Sequence, residues 1–87
     1  MIWDISIGHK ALKVLTSLPK PQRLRISDAI DKLKYGPHQK ELDIKPLHGR
    51  PEWRLRVGEW RVIFLIFENE IKISVVSISP RGDAYKK

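Results

Sequence analysis

Apolar residues along the chain change their spacing several times, and each change marks an element. Trp3, Ile5 and Ile7 alternate with Asp4 and Ser6, the pattern of a short half-buried strand. After Gly8-His9 the period becomes helical, with Ala11, Leu12, Leu15 and Leu18 on one stripe. Pro19-Lys20-Pro21 ends this helix, and Pro21 suits the first turn of the next. Ile26, Ala29, Ile30 and Leu33 form the stripe of the second helix, which Gly36-Pro37 stops. A polar, proline-punctuated connection from His38 to Pro51 has room for a short strand around Leu42 to Ile44. The segment Trp53 to Phe67 reads as a β-hairpin with Gly58-Glu59 at its turn. Glu68-Asn69-Glu70 then turns the chain into a further strand from Ile71 to about Ile78. The residues from Ser79 onward form a short tail, irregular or ending in one helical turn. The predicted fold class is α+β: an N-terminal strand, a two-helix hairpin, then a three- to four-stranded antiparallel sheet with the helices packed on one face.

The hairpin carries the most specific information. A two-residue turn sets Val57 against Trp60, so Arg56 falls directly opposite Arg61, with Arg54 two positions along on the same face. Like charges opposed on a sheet are destabilising. Trp53, Leu55, Val57, Val62, Phe64 and Ile66 are predicted to meet the helices. The other face is then mixed, with Arg54, Arg56 and Arg61 at its basic end and Ile63, Leu65 and Phe67 at its apolar end. On one alternating strand, two arginines are ordinarily solvated surface residues. The third arginine across the turn weighs against that reading and points to an external anion, above all a phosphodiester.

Composition adds a class. The 87 residues suffice for one domain, residues 1–87, with one modest core. Seventeen basic against ten acidic residues give a formal charge of +7, which favours a polyanionic partner. With no cysteine, neither disulfides nor thiolate metal sites are available. No apolar run approaches the roughly 18 residues of a membrane span, and the N-terminus lacks the pattern of a signal peptide. The expectation is a cytoplasmic protein that contacts no membrane. His9, His38 and His48 lack metal-ligand spacing and read as surface or turn residues. Trp3, Trp53 and Trp60 read as core or core-edge anchors. Glu41, Asp43, Glu52 and Glu59 are too scattered for paired-carboxylate chemistry.

Several segments together resemble the RelE/ParE toxin superfamily of bacterial toxin–antitoxin systems. They are Ala11-Leu12-Lys13 with Leu15 and Leu18-Pro19, Lys45-Pro46-Leu47 with Gly49, the hairpin from Trp53 to Phe64, and the closing Ile78 to Tyr85. The likeness runs over nearly the whole chain, in order. RelE-like members are ribosome-dependent endoribonucleases that cut mRNA; ParE-like members inhibit DNA gyrase without cutting RNA. The RelE-like branch is favoured, because its constellation of basic residues and a C-terminal tyrosine is filled here. The resemblance makes Arg54 and Arg56 the RNA-binding pair and Arg61, Arg81 and Tyr85 the catalytic set. It calls for no metal and no cofactor. It further implies a cognate antitoxin whose acidic segment covers the basic site, and operator DNA bound only through that antitoxin. A degenerate relative kept for antitoxin binding is a third reading.

One departure bears on mechanism. Some members carry lysine where this chain has Arg54 and Arg56. The RelE-like reaction has the RNA 2′-hydroxyl attack the adjacent phosphorus, leaving a 2′,3′-cyclic phosphate and a free 5′-hydroxyl. Arginine matches phosphate oxygens bidentately but does not give up a proton. Tyr85 is therefore the expected base, its phenol made easier to ionise by surrounding guanidiniums. Arg61 or Arg81 would hold the phosphorane.

Overall fold

The computed structural model describes residues 2–80. Its elements run β1 (Asp4–Ile7), α1 (His9–Ser17), α2 (Lys20–Lys32), a 3-10 turn (Leu33–Tyr35), β2 (Asp43–Pro46), β3 (Trp53–Val57), β4 (Trp60–Phe67), a second 3-10 turn (Glu68–Glu70) and β5 (Lys72–Pro80). The predicted α+β class holds, and the hairpin and helices fall where the periodicity put them.

The five strands form one sheet in the order β1-β5-β4-β3-β2. The run β2 to β5 is an antiparallel meander, and β1 joins its far edge parallel to β5, with Asp4 beside Lys72 and Ile7 beside Val75. The sequence reading left this parallel pairing open. The strand predicted around Leu42 to Ile44 runs from Asp43 to Pro46, on an edge where a proline breaks no ladder. The last strand extends through Ser79 and Pro80, which the sequence reading assigned to the tail. Between the Ile63–Ser77 and Phe64–Val75 pairs the β4–β5 register slips by one residue, leaving Val76 as a bulge.

Helix placement follows from sterics at its ends. Gly8 opens α1 where its amide donates to the Val75 carbonyl at 2.9 Å, and a Cβ there would lie 3.2 Å from that oxygen. A side chain there would crowd that carbonyl, which glycine avoids. Leu18, before Pro19, takes the extended conformation that a following proline imposes, which separates α1 from α2. Ala11 and Leu15 from α1 and Ile26, Ile30 and Leu33 from α2 and its extension are buried against Leu55, Val62, Phe64, Ile73, Val75 and Ile78. Each large side chain buried there contributes about 1.5–3 kcal/mol of transfer free energy. Leu12, predicted on the buried stripe, is 44% exposed instead. The three tryptophans pack at the edge of this core, as expected. With the helices covering one face, the other is left to carry a site.

Candidate functional site on the open sheet face

The turn at Gly58-Glu59 fixes the site. Gly58 has φ +58°, a left-handed conformation suited to a two-residue hairpin turn, and Val57 pairs with Trp60. Arg56 is therefore directly opposite Arg61, as the sequence predicts. The flanking strands complete two ranks across the sheet. One runs Asp43, Arg56, Arg61, Ser79; the next runs Lys45, Arg54, Ile63, Ser77.

The arginines are not equivalent. Arg54 is 7% exposed, and its Nη2 donates to Asp43 Oδ1 at 3.3 Å across a diagonal of the sheet. The sequence reading left Asp43 among scattered carboxylates, but this register makes it the counter-charge that lets guanidiniums crowd on one face. Arg61 is equally buried, at 7%, whereas Arg56 is half-buried. These are not solvated surface side chains. A buried guanidinium keeps a fixed direction and is less screened by salt.

The segment after β2 folds beside this face. Leu47 N–H donates to the Glu52 carbonyl at 3.0 Å and Arg50 N–H to the Leu47 carbonyl at 3.2 Å, closing a tight loop. It leaves an open basin of about 430 Å³ bordered by Lys45, Leu47, His48, Arg54, Arg56 and Arg61. Two of these residues were missed in the sequence. His48 was read as a turn residue, which it is, yet the turn sets it at the basin. Lys45 stands in the Lys45-Pro46-Leu47 segment that resembles the family, and the β2 register pairs it with Arg54. No local pattern distinguishes them. Only the pairing of an edge strand after a proline-rich connection does. Unlike a guanidinium, an ammonium or an imidazolium is a side-chain group that can give up a proton.

Ile63, expected at the exposed apolar end, is 8% exposed, while Phe67 at the far end of β4 is 39% exposed. Ile63 lies in a second, smaller cleft of about 130 Å³ next to Arg61, beside Leu47, Val76 and Ser77. Of the five predicted site residues, the structure brings Arg54, Arg56 and Arg61 together. Arg81 and Tyr85 lie outside the described residues. Within the described chain, β5 ends at Pro80 opposite Trp60, one pair beyond Arg61 and Ser79.

This geometry can now be set beside known proteins. The profile of the ParE toxin of the type II toxin–antitoxin system parDE matches residues 5–85. A curated protein of Methanocaldococcus jannaschii named as toxin RelE1 is 35% identical over 88 residues, covering 99% of this chain and 98% of its own length. The chain belongs to the RelE/ParE toxin superfamily, on its RelE-like branch. Among solved structures, the archaeal RelE–RelB complex from Pyrococcus horikoshii OT3 has a chain 30% identical to this one, with a TM-score of 0.81 over 94% of this chain and 98% of that one. The intact E. coli RelBE toxin–antitoxin complex shares the fold, with a TM-score of 0.74 at 15% identity over 90% of this chain and 95% of that one. The RelE-like α+β fold is thus common to this chain and to those toxins. The family profile bears the ParE name and the relatives the RelE name, so the target has to be argued from the site.

Proposed function

We propose that this RelE-like toxin is an mRNA interferase that cleaves RNA by attack of a 2′-hydroxyl on the neighbouring phosphorus. The observation that carries this reading is the direct opposition of Arg56 and Arg61 in a basin also bordered by Arg54 and Lys45. A phosphodiester bridging the rank places further negative charge between the opposed guanidiniums. As attack proceeds, the phosphorane gains charge, and preoriented donors stabilise it more than they stabilise the ground state. Arg61 holds that charge, Arg54 and Arg56 bind the RNA backbone, and Arg81 contributes from beyond β5. Tyr85 removes the 2′-hydroxyl proton. The leaving 5′-oxygen takes a proton from Lys45 or His48, the bordering groups able to give one. The products are a 2′,3′-cyclic phosphate and a 5′-hydroxyl, and no metal enters this scheme.

The substrate is mRNA on the ribosome, and the toxin acts in the cytoplasm. No helix among the described residues is long and apolar enough to cross a membrane. Several of the solved relatives are complexes with RelB antitoxins, which supports a cognate antitoxin as partner here. Its acidic segment covers the basin, and operator DNA is contacted only through it. Leu12, Leu24 and Phe67, all exposed, offer the apolar footing for such a segment.

The ParE profile supports one second reading, a non-catalytic toxin that inhibits DNA gyrase. Induced expression of wild type, Arg61→Ala, Arg81→Ala and Tyr85→Ala separates the two, with growth recorded and mRNA 5′ ends mapped in the same cultures. New ends inside translated frames, lost in all three variants together with toxicity, are expected. Growth arrest with intact mRNA, unchanged in the variants, would overturn the nuclease reading and lead to a gyrase supercoiling assay.

A further inference from the structure

The cleft beside Arg61 has features that the cleavage scheme does not use. Its volume is about 130 Å³, and it shares Leu47 and Arg61 with the basin, so the two adjoin. Ile63, Leu47 and Val76 make one side apolar. Val76 contributes because the β4–β5 register slip leaves it without a cross-strand partner. Glu52, Ser77 and Ser79 supply polar groups around this apolar patch. The Glu52 side chain is only 21% exposed and is held by Arg50, whose Nε donates to Oε1 at 3.2 Å.

Arg50 and Glu52, both lining the cleft, offset one another in charge, so the cleft attracts phosphate less than the basin of Arg54, Arg56 and Arg61 does. An apolar slot with fixed polar edges is likewise the wrong surface for a phosphate. Both suit a nucleobase. A cavity of about 150 Å³ holds one benzene ring, so about 130 Å³ matches a single-ring base in size. Glu52 only accepts hydrogen bonds. Cytosine offers its exocyclic amine to such an acceptor. Uracil instead turns a carbonyl oxygen toward it. The Ser77 and Ser79 hydroxyls can donate to the cytosine ring nitrogen and carbonyl.

We propose that this cleft is a cytosine subsite, seating the base of a nucleotide next to the scissile phosphate, with Glu52 reading its amine. The proposal rests on the nuclease reading and deepens it, giving the toxin a base preference at one position flanking the cut.

Two readouts test it. In the first, the purified full chain is titrated with cytidine 3′-monophosphate, uridine 3′-monophosphate and inorganic phosphate while backbone amide NMR shifts are followed. Cytidine monophosphate is expected to move Ile63, Val76 and Ser77 beyond the changes that phosphate causes, and to bind more tightly than the uridine compound. In the second, cleavage sites are mapped in cultures expressing wild type, Glu52→Gln and Ser77→Ala. Glu52→Gln keeps the shape and removes the charge, and should reduce the ratio of cytidine to uridine at the flanking position about tenfold. Wild-type cleavage with no cytidine bias, or cytidine shifts confined to the basin, would overturn the subsite and leave the nuclease reading intact. Cytidine-specific shifts in the cleft without cleavage in cells would keep the subsite and sink the nuclease reading. Equal shifts from all three probes would mean a phosphate contact only, which also overturns it.

Discussion

Asp43 gives the sharpest test of how the basic face is held together. Its carboxylate accepts from Arg54 at 3.3 Å, with the Arg54 side chain 8% exposed and that of Asp43 45% exposed. Asp43→Ala leaves a nearly buried guanidinium facing Lys45, Arg56 and Arg61 with its acidic partner gone. An exposed ion pair contributes at most about 1 kcal/mol, whereas breaking a fully buried one costs about 3–5 kcal/mol. One member buried and one half-exposed puts the loss near 2 kcal/mol, which for a chain of this length lowers Tm by about 10 °C. The same variant should bind anions better, because a phosphate can take the place of the lost carboxylate. Phosphate at ten times its Kd then restores about 1.4 kcal/mol. The assay is thermal unfolding by circular dichroism for wild type and Asp43→Ala, at low salt, with and without phosphate. The expected pattern is a large drop in Tm for the variant and a rise with phosphate that exceeds the wild-type rise. A drop below about 2 °C, with equal phosphate effects, would refute the reasoning and mean that Arg54 is stabilised by solvent rather than by Asp43.

Two further outcomes follow from the same geometry. His48→Gln should slow cleavage of ribosome-bound mRNA by about a hundredfold while RNA affinity stays within about twofold, as loss of a proton-transfer group does; wild-type rates in the variant would leave that role to Lys45. With Arg54, Arg56 and Arg61 meeting phosphates, the logarithm of affinity for a short single-stranded RNA should fall with the logarithm of salt at a slope of about −2, and Arg56→Ala should make it shallower by about 0.7. A slope near zero in the binding titration would show that the basin does not meet the backbone.

What was legible in the sequence was whatever short-range rules control. A two-residue turn has one register, so the Arg56–Arg61 pair could be counted from residue numbers alone, and it is present. The helix stripes, the break at Pro19 and the stop at Gly36 were likewise local. The hidden parts depend on pairings across long separations. Asp43 and Lys45 come to the site from an edge strand whose register is set only after a connection rich in turns. The adjacent Val75-Val76 breaks the alternation of Lys72 to Pro80, a local sign of the bulge, but it does not say which of the two is left unpaired. The slip leaves Val76 unpaired and re-phases the strand after it, so that Ser77 and Ser79 face Ile63 and Arg61. His48 gave no signal because a lone histidine in a polar loop looks the same whether it faces solvent or a basin.

The two carboxylates on this face account for an apparent contradiction in its design. A cluster of cations meant only to bind RNA tightly would contain no acid. Yet Asp43 stands at the β2 end of the arginine rank and Glu52 beside the cleft beyond Arg61. Each offsets part of the positive charge on its own side of Arg56 and Arg61. Under the nuclease reading, a phosphate moved toward either carboxylate would lose attraction, which would favour one position for a polyanion that otherwise binds anywhere on a basic surface. Cleavage depends on such confinement, because stabilising the phosphorane requires donors aimed at one place where charge develops. Under the nuclease reading, the face would give up some general affinity for nucleic acid and gain a fixed register of phosphate against arginine.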